Sequence, residues 1–331
     1  NGKKLTHKKQ PMKKLTDYFP NVIGQLKAKK LLSFFINGYK ANSVMPHIML
    51  TAPRGCGKTW IGKALAKNLM DKDTGKPKKL ITFNCSQIKN LSQFMNEIII
   101  PHVNEQDCTV FFDEASELPK DVSMALLTIT NPNPENMNEF AYDDFVINFN
   151  FRRQSFIFAT TEGQSIFHAL MDRMERVDLQ DYELDELGKI LMCGLEGYKV
   201  DSEALTELSS VLRGNARAAQ KMAIKMKSYL DAAKRKTFRM ADVEKLYDQL
   251  GIAPLGLLSK ELELMQILAR KKATRLMELT ASLQLSRGAI QRDYELYLMK
   301  QHLIEITPEG RSLTVKGQQY LKELEVAEEA A

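Results

Sequence analysis

Beyond Pro20 the chain alternates short apolar runs with segments of helical period, the pattern of β-α-β units wound around a largely parallel sheet. His47-Ile48-Met49-Leu50 predicts a first strand, followed by a glycine-rich turn and a helix from Thr59 to about Met70. Further strands are expected at Leu80 to Phe83, Thr109 to Phe112 and Ser155 to Ala159. From Leu184 to Leu250 apolar residues recur at helical spacing with hardly a strand signal, which sets a boundary near Tyr182. Gly251-Ile252-Ala253-Pro254-Leu255-Gly256 interrupts that pattern and marks a second boundary. Three helical stretches follow, then two short β-like runs about Pro308-Glu309-Gly310 and an acidic, alanine-rich end. The expected division is a tail of residues 1–20, an α/β core of 21–182, a helical region of 183–253 and a last module of 254–331.

With 331 residues, 44% hydrophobic and 27% charged, the chain has material for two or three ordinary cores, which excludes a single small module and wholesale disorder. Apolar stretches such as Ile98-Ile99-Ile100 and Val110-Phe111-Phe112 are strand-sized, far short of the roughly 18 residues of a membrane span. No membrane association is expected. The basic N-terminus lacks the apolar segment of a secretory signal, so a cytoplasmic location is expected. Cys56, Cys85, Cys108 and Cys193 are too few and too scattered for a disulfide framework or a zinc site. The five histidines form no metal-ligand spacing either. The formal net charge is +6, and six lysines among residues 1–20, against Asp17, account for most of it. That tail reads equally as a grip for a polyanion or as a solvated arm.

Candidate chemistry concentrates in three places. Ala52-Pro53-Arg54-Gly55-Cys56-Gly57-Lys58-Thr59 lies between a predicted strand and a predicted helix, the context that makes a glycine-rich string a phosphate-binding loop. Gly55 and Gly57 let backbone N–H groups turn toward phosphate oxygens, Lys58 reaches the β and γ phosphates, and Thr59 offers a hydroxyl to Mg²⁺. Cys56 inside the loop and Trp60 just behind it complete the expected nucleotide contacts. Thr109-Val110-Phe111-Phe112-Asp113-Glu114 is an apolar strand closed by two carboxylates, about fifty residues after the lysine. Asp113 suits the metal and Glu114 the activation of water. A later strand ends in Thr160-Thr161, either of which can sense the γ-phosphate. Beyond it, Leu170-Met171-Asp172-Arg173 offers Arg173, with Arg176 as a rival, as an arginine reaching a neighbouring subunit's nucleotide.

These elements, in this order, resemble the AAA+ ATPases and in detail those of RuvB type, motors that drive branch migration of Holliday junctions in recombination and repair. Val22-Ile23-Gly24-Gln25 is similar to the family's segment beside the adenine, and Ala159-Thr160-Thr161 to its first sensor. Arg173 falls at the finger arginine, and Asp181-Tyr182 resembles the pair leading into the helical lid, with Tyr182 near the adenine. Arg213-Gly214-Asn215-Ala216-Arg217-Ala218-Ala219 is similar to the lid's second-sensor segment, which makes Arg217 the expected γ-phosphate contact. The residues alone also allow Arg213 and Arg217 to be a helix face with acidic neighbours.

In the last module, Tyr297-Leu298-Met299-Lys300-Gln301-His302-Leu303-Ile304 and Thr307-Pro308-Glu309-Gly310-Arg311 resemble the recognition helix and wing of the family's winged helix. Ser286 is placed to cap that helix, and Arg287 and Arg292 on it, with Arg311 and Lys316 on the wing, are candidate phosphate contacts. Departures stand beside the likeness. Ala52 replaces the loop's first glycine, Glu309 replaces a wing arginine, and Asn131 to Asn150 bears no recognisable likeness to the hairpin that docks the partner RuvA.

The resemblance implies an α/β AAA+ P-loop core with a parallel sheet, a helical lid and a C-terminal winged helix. It further implies an ATPase using ATP and Mg²⁺, assembled as a homo-oligomer, expected as a hexameric ring. Such a ring would translocate duplex or branched DNA, helicase-like, with a RuvA-like partner. The alternative is a loader that uses ATP as a switch to place another protein on DNA.

Overall fold

The computed structural model describes residues 18–71, 73–163 and 168–329, so nearly all of the expected tail lies outside the described residues. The chain divides into two compact units, residues 1–196 with 214–224 and residues 197–213 with 225–331. The helical stretch of 183–253 contributes to both.

The first unit holds seven strands among the described residues: β1 (Ile48–Thr51), β2 (Lys79–Asn84), β3 (Cys108–Asp113), β4 (Met137–Tyr142), β5 (Phe145–Asn150), β6 (Gln154–Thr160) and β7 (Glu175–Asp178). Five form one all-parallel sheet in the order β2-β3-β6-β1-β7. Its central strands read as unbroken apolar runs because helices cover both faces. Side chains alternate between those faces: Val110, Phe112, Phe156 and Phe158 enter one core, whereas Phe111, Ile157 and Ala159 enter the other. Phe112 stacks on Phe158 with ring centroids 4.2 Å apart, which ties β3 to β6 near their carboxyl ends.

Three elements go beyond the expected ones. Ile98-Ile99-Ile100 lies in a helix, Leu91–Gln93 continuing as a wide-turned segment Phe94–Val103 that contains Pro101; proline supplies no N–H to the regular ladder. The edge strand β7 carries one buried apolar residue, Val177, too little to signal a strand. β4 and β5 pair as an antiparallel hairpin in the very region that had no recognisable likeness.

In the second unit the helices Ser202–Ser210 and Met240–Leu250 accompany the later part of Ala216–Ala232, with a two-residue parallel pairing of Lys199–Val200 and Thr237–Phe238. Its C-terminal part has the winged-helix order. Helices Ser259–Ala269 and Leu276–Leu283 precede a continuous helical run of residues 287–300, capped by Ser286 Oγ accepting from Ala289 N–H. The hairpin Ile304–Thr307 with Gly310–Leu313 follows, then the helix Val315–Glu329. Leu264, Leu268, Leu279, Ile290, Leu298 and Leu313 close one core among them.

Candidate functional site

In a parallel α/β sheet the loops after the strands gather at the carboxyl edge, where ligands bind. Here that edge opens into a cavity of about 680 Å³, well within the range of small-molecule sites. It receives the loop after β1, the ends of β3 and β6, and the start of the helix Ala216–Ala232.

The loop is built by conformation. Gly55 and Gly57 sit at φ +84° and +87°, and a Cβ on Gly57 would lie 2.7 Å from the Tyr182 hydroxyl. Lys58 opens the helix Lys58–Ala66 and folds back, its Nζ donating to the carbonyls of Ala52 (2.7 Å) and Pro53 (2.9 Å). Burial holds its pKa below the ordinary lysine value, although Asp113 pulls the other way. Thr59 Oγ1 donates to Asp113 Oδ2 at 3.0 Å, so the hydroxyl and the carboxylate expected at the metal meet across the sheet edge. Oxygen donors of this kind suit Mg²⁺, and the glycine loop, lysine and cavity size suit a nucleoside triphosphate. Glu114 follows in a left-handed conformation, φ 54°, a local strain of the kind concentrated at functional sites. Asn84, at the end of β2, donates from Nδ2 to Glu114 Oε2 at 2.9 Å and orients that carboxylate.

Ile23, Gly55, Gly57, Lys58, Thr59, Trp60, Asp113, Glu114, Thr160, Thr161, Tyr182 and Arg217 all line this cavity. Two expected contacts do not. Val22 packs into the sheet's core, and the Cys56 side chain is buried with its Sγ toward Asp181 Oδ1 at 3.8 Å, because neighbouring residues of an extended or tightly turned segment point opposite ways. Thr160 is wholly buried and its Oγ1 accepts from Glu162 N–H (3.0 Å), whereas Thr161 is partly open to the cavity. Trp60 stands at the rim, its Nε1 donating to Asn21 O.

Arg173 is not on its own chain's cavity. Its Nη1 donates to Ala169 O (2.6 Å) and its Nη2 to Asn131 Oδ1 (3.2 Å). The rival Arg176 is spent on Asp178 at 2.7 Å along β7.

Arg213 and Arg217 part company. Arg217 lines the cavity, and its N–H donates to Gly55 O. Arg213 lies outside the helix at φ 59°, its guanidinium forked on Glu261 (2.6 and 2.7 Å), bonded to Gly256 O and stacked 3.7 Å from the Tyr297 ring. The shared helix face is therefore not what forms. Sequence reasoning missed Asn215, which caps the helix by accepting from Ala218 N–H and donates to Arg54 O, and Asn84. Single asparagines give no sequence signal until the chain brings their partners close.

In the winged helix, Arg287 and Arg292 lie exposed on the helical run of residues 287–300. Arg311 and Lys316 depart from expectation. Arg311 is forked on Glu295 (2.8 and 3.3 Å), with only 13% and 2% of the two side chains exposed. Lys316 belongs to the helix after the wing, and its Nζ donates to Gln301 O.

Residues 48–182 match the AAA family, "ATPase family associated with various cellular activities", so the cavity belongs to an AAA ATPase core. Residues 254–322 match the RuvB C-terminal winged helix domain. Among curated relatives, the Holliday junction branch migration complex subunit RuvB of Ehrlichia canis is 25% identical over 91% of both chains, and that of Nitratiruptor sp. is 26% identical over 91% of this chain and 89% of its own. The Thermotoga maritima RuvB Holliday junction branch migration motor shares the fold, with a TM-score of 0.74 and 22% identity over 91% of this chain and 95% of that one. The chain is a RuvB-like AAA+ ATPase. Among the described residues no helix is long and apolar enough to cross a membrane, and no three His, Cys, Asp or Glu side chains group as a metal site.

Proposed function

We propose that this protein is an ATP-driven, oligomeric motor that moves duplex DNA and so drives branch migration of Holliday or similarly branched junctions. The observation that carries it is the convergence of Lys58, Thr59, Asp113, Glu114, Thr161 and Arg217 on one cavity in a chain that ends in a RuvB-type winged helix.

Lys58 and the N–H groups of the glycine loop hold the triphosphate, and Thr59 and Asp113 hold Mg²⁺. When bound, the ion neutralises charge on the phosphate oxygens. Glu114, oriented by Asn84, accepts the proton of the attacking water, a role worth about 10²–10⁴ in rate. Of the two threonines, Thr161 is the sensor, because the Thr160 hydroxyl is buried and occupied. Arg217 reports the triphosphate to the helical lid of residues 183–253. Arg173, held on Asn131 away from its own chain's cavity, serves the nucleotide of an adjacent subunit, which makes assembly, as a hexameric ring, a condition of turnover. The β4–β5 hairpin, with Phe145 and Val146 exposed on β5, is where a RuvA-like protein would dock. A cytoplasmic site of action accords with this role.

The test is dissociation of a labelled four-way junction under ATP. Catalytic strand exchange by the protein, abolished by Glu114→Gln, is expected. Active ATPase with no junction movement unless a client protein is added would transfer the protein to the loader class.

A further inference from the structure

The exposed cations of the winged helix are concentrated away from the wing turn, ahead of its second helix. The wing itself is a poor surface for a polyanion. Arg311 is buried against Glu295, and Glu305 on the first wing strand and Glu309 in the turn lie exposed. Just before the second helix, however, Arg270-Lys271-Lys272-Ala273-Thr274-Arg275 puts four cations in six residues, all four exposed. Lys271 is paired with Glu278; Arg270, Lys272 and Arg275 meet no carboxylate among the described residues.

This segment is fastened to the wing. Thr274 N–H donates to Arg311 O and Arg311 N–H to Thr274 O, both at 2.8 Å, an antiparallel bridge that adds the basic segment to the wing hairpin as a third, edge position. Thr274 is wholly buried there. The approach is so close that a Cβ on Gly310, at φ +146°, would lie 2.5 Å from Thr274 O. The bridge brings Arg275 alongside Gly310, at the wing turn, while Lys272 and Arg270 lie two and four residues before Thr274, in the turn that leaves the helix Ser259–Ala269.

We propose that Arg270, Lys272 and Arg275 form a phosphate-binding strip for the backbone of duplex DNA, taking the place of the wing arginine. The inference rests on the DNA-motor reading above and extends it to named contacts. Arg311 is a positioning residue: by neutralising Glu295 it keeps the wing strand in register with the strip. Binding through the strip is independent of base sequence, because phosphates carry no sequence information.

The experiment measures affinity of the full chain for a four-way junction across a salt series, with ATPase in the absence of DNA and thermal melting as controls. Each phosphate contact contributes about 0.9 to the slope of log K against log salt, so R270A/K272A/R275A should flatten the wild-type slope by about 2.7. At 0.1 M salt, one decade below a 1 M reference, that is a loss of roughly 500-fold, with DNA-free ATPase and melting unchanged. R275A alone should remove about 0.9. A steep wild-type slope that the triple variant leaves within 0.5 would overturn the strip and leave the motor reading standing. So would a folded R311A protein that loses the slope in the triple variant's stead. If the wild-type protein itself binds the junction with no salt dependence, the DNA reading fails, and the strip with it.

Discussion

Arg213 and Arg217 stand four residues apart in one similar-looking segment, and their substitution should have opposite consequences. Glu261 is 1% exposed and takes both fork nitrogens of Arg213. Removing the guanidinium leaves that carboxylate buried with the Leu258 N–H as its remaining donor. Breaking a buried pair in this way costs about 3–5 kcal/mol; since Arg213 keeps 22% exposure, the low end applies. Loss of stacking on Tyr297 adds about 0.5–1 kcal/mol. Arg213→Ala should therefore cost about 3–4 kcal/mol in the second unit, read as loss of amide-exchange protection in the helix Ser259–Ala269 and as a urea midpoint lower by about 1–2 M. An R213M/E261L double variant should recover most of it, because an apolar pair leaves no unpaired charge. Arg217→Ala, by contrast, should change stability by about 0.5 kcal/mol or less and reduce turnover about 10²–10³-fold. If Arg213→Ala loses less than about 1 kcal/mol, the buried pair is not what holds this segment.

Three other outcomes are expected. Asn84→Ala should lower kcat while leaving nucleotide affinity intact, since Asn84 touches Glu114 rather than the phosphate loop; equal losses in both would argue against its orienting role. Arg173→Ala should reduce ATPase of the assembled protein about 10³–10⁵-fold and add nothing when mixed with a Lys58→Ala protein unless the second supplies the arginine, so rescue in mixed assemblies is the readout. His47 packs edge-on against Phe151, its Nδ1 buried without a hydrogen bond, and burial pushes its pKa down to about 4. The unfolded chain takes up that proton near pH 6.5 and the folded one does not until about pH 4, so stability should fall as pH drops across that window, by at most about 3 kcal/mol. His47→Phe should flatten that part of the profile.

Strongly local features were legible along the chain. The strand, glycine loop and helix around Lys58 announce themselves because phosphate binding needs φ-permissive residues at fixed spacing beside a helix start, and the buried strands announce themselves because a sheet covered on both faces demands continuous apolar residues. The edge strand β7 was silent because its one buried residue leaves no period, and the β4–β5 hairpin because its residues spell no familiar motif. Chain folding alone decided which polar groups find each other: Asn84 with Glu114, Asn215 with the phosphate loop, Arg213 with Glu261, and Arg311 with Glu295 rather than with solvent. An arginine's charge is written in the sequence. Whether that charge is spent inside the protein or offered to a ligand depends on a carboxylate tens of residues away, and only three-dimensional packing sets that distance.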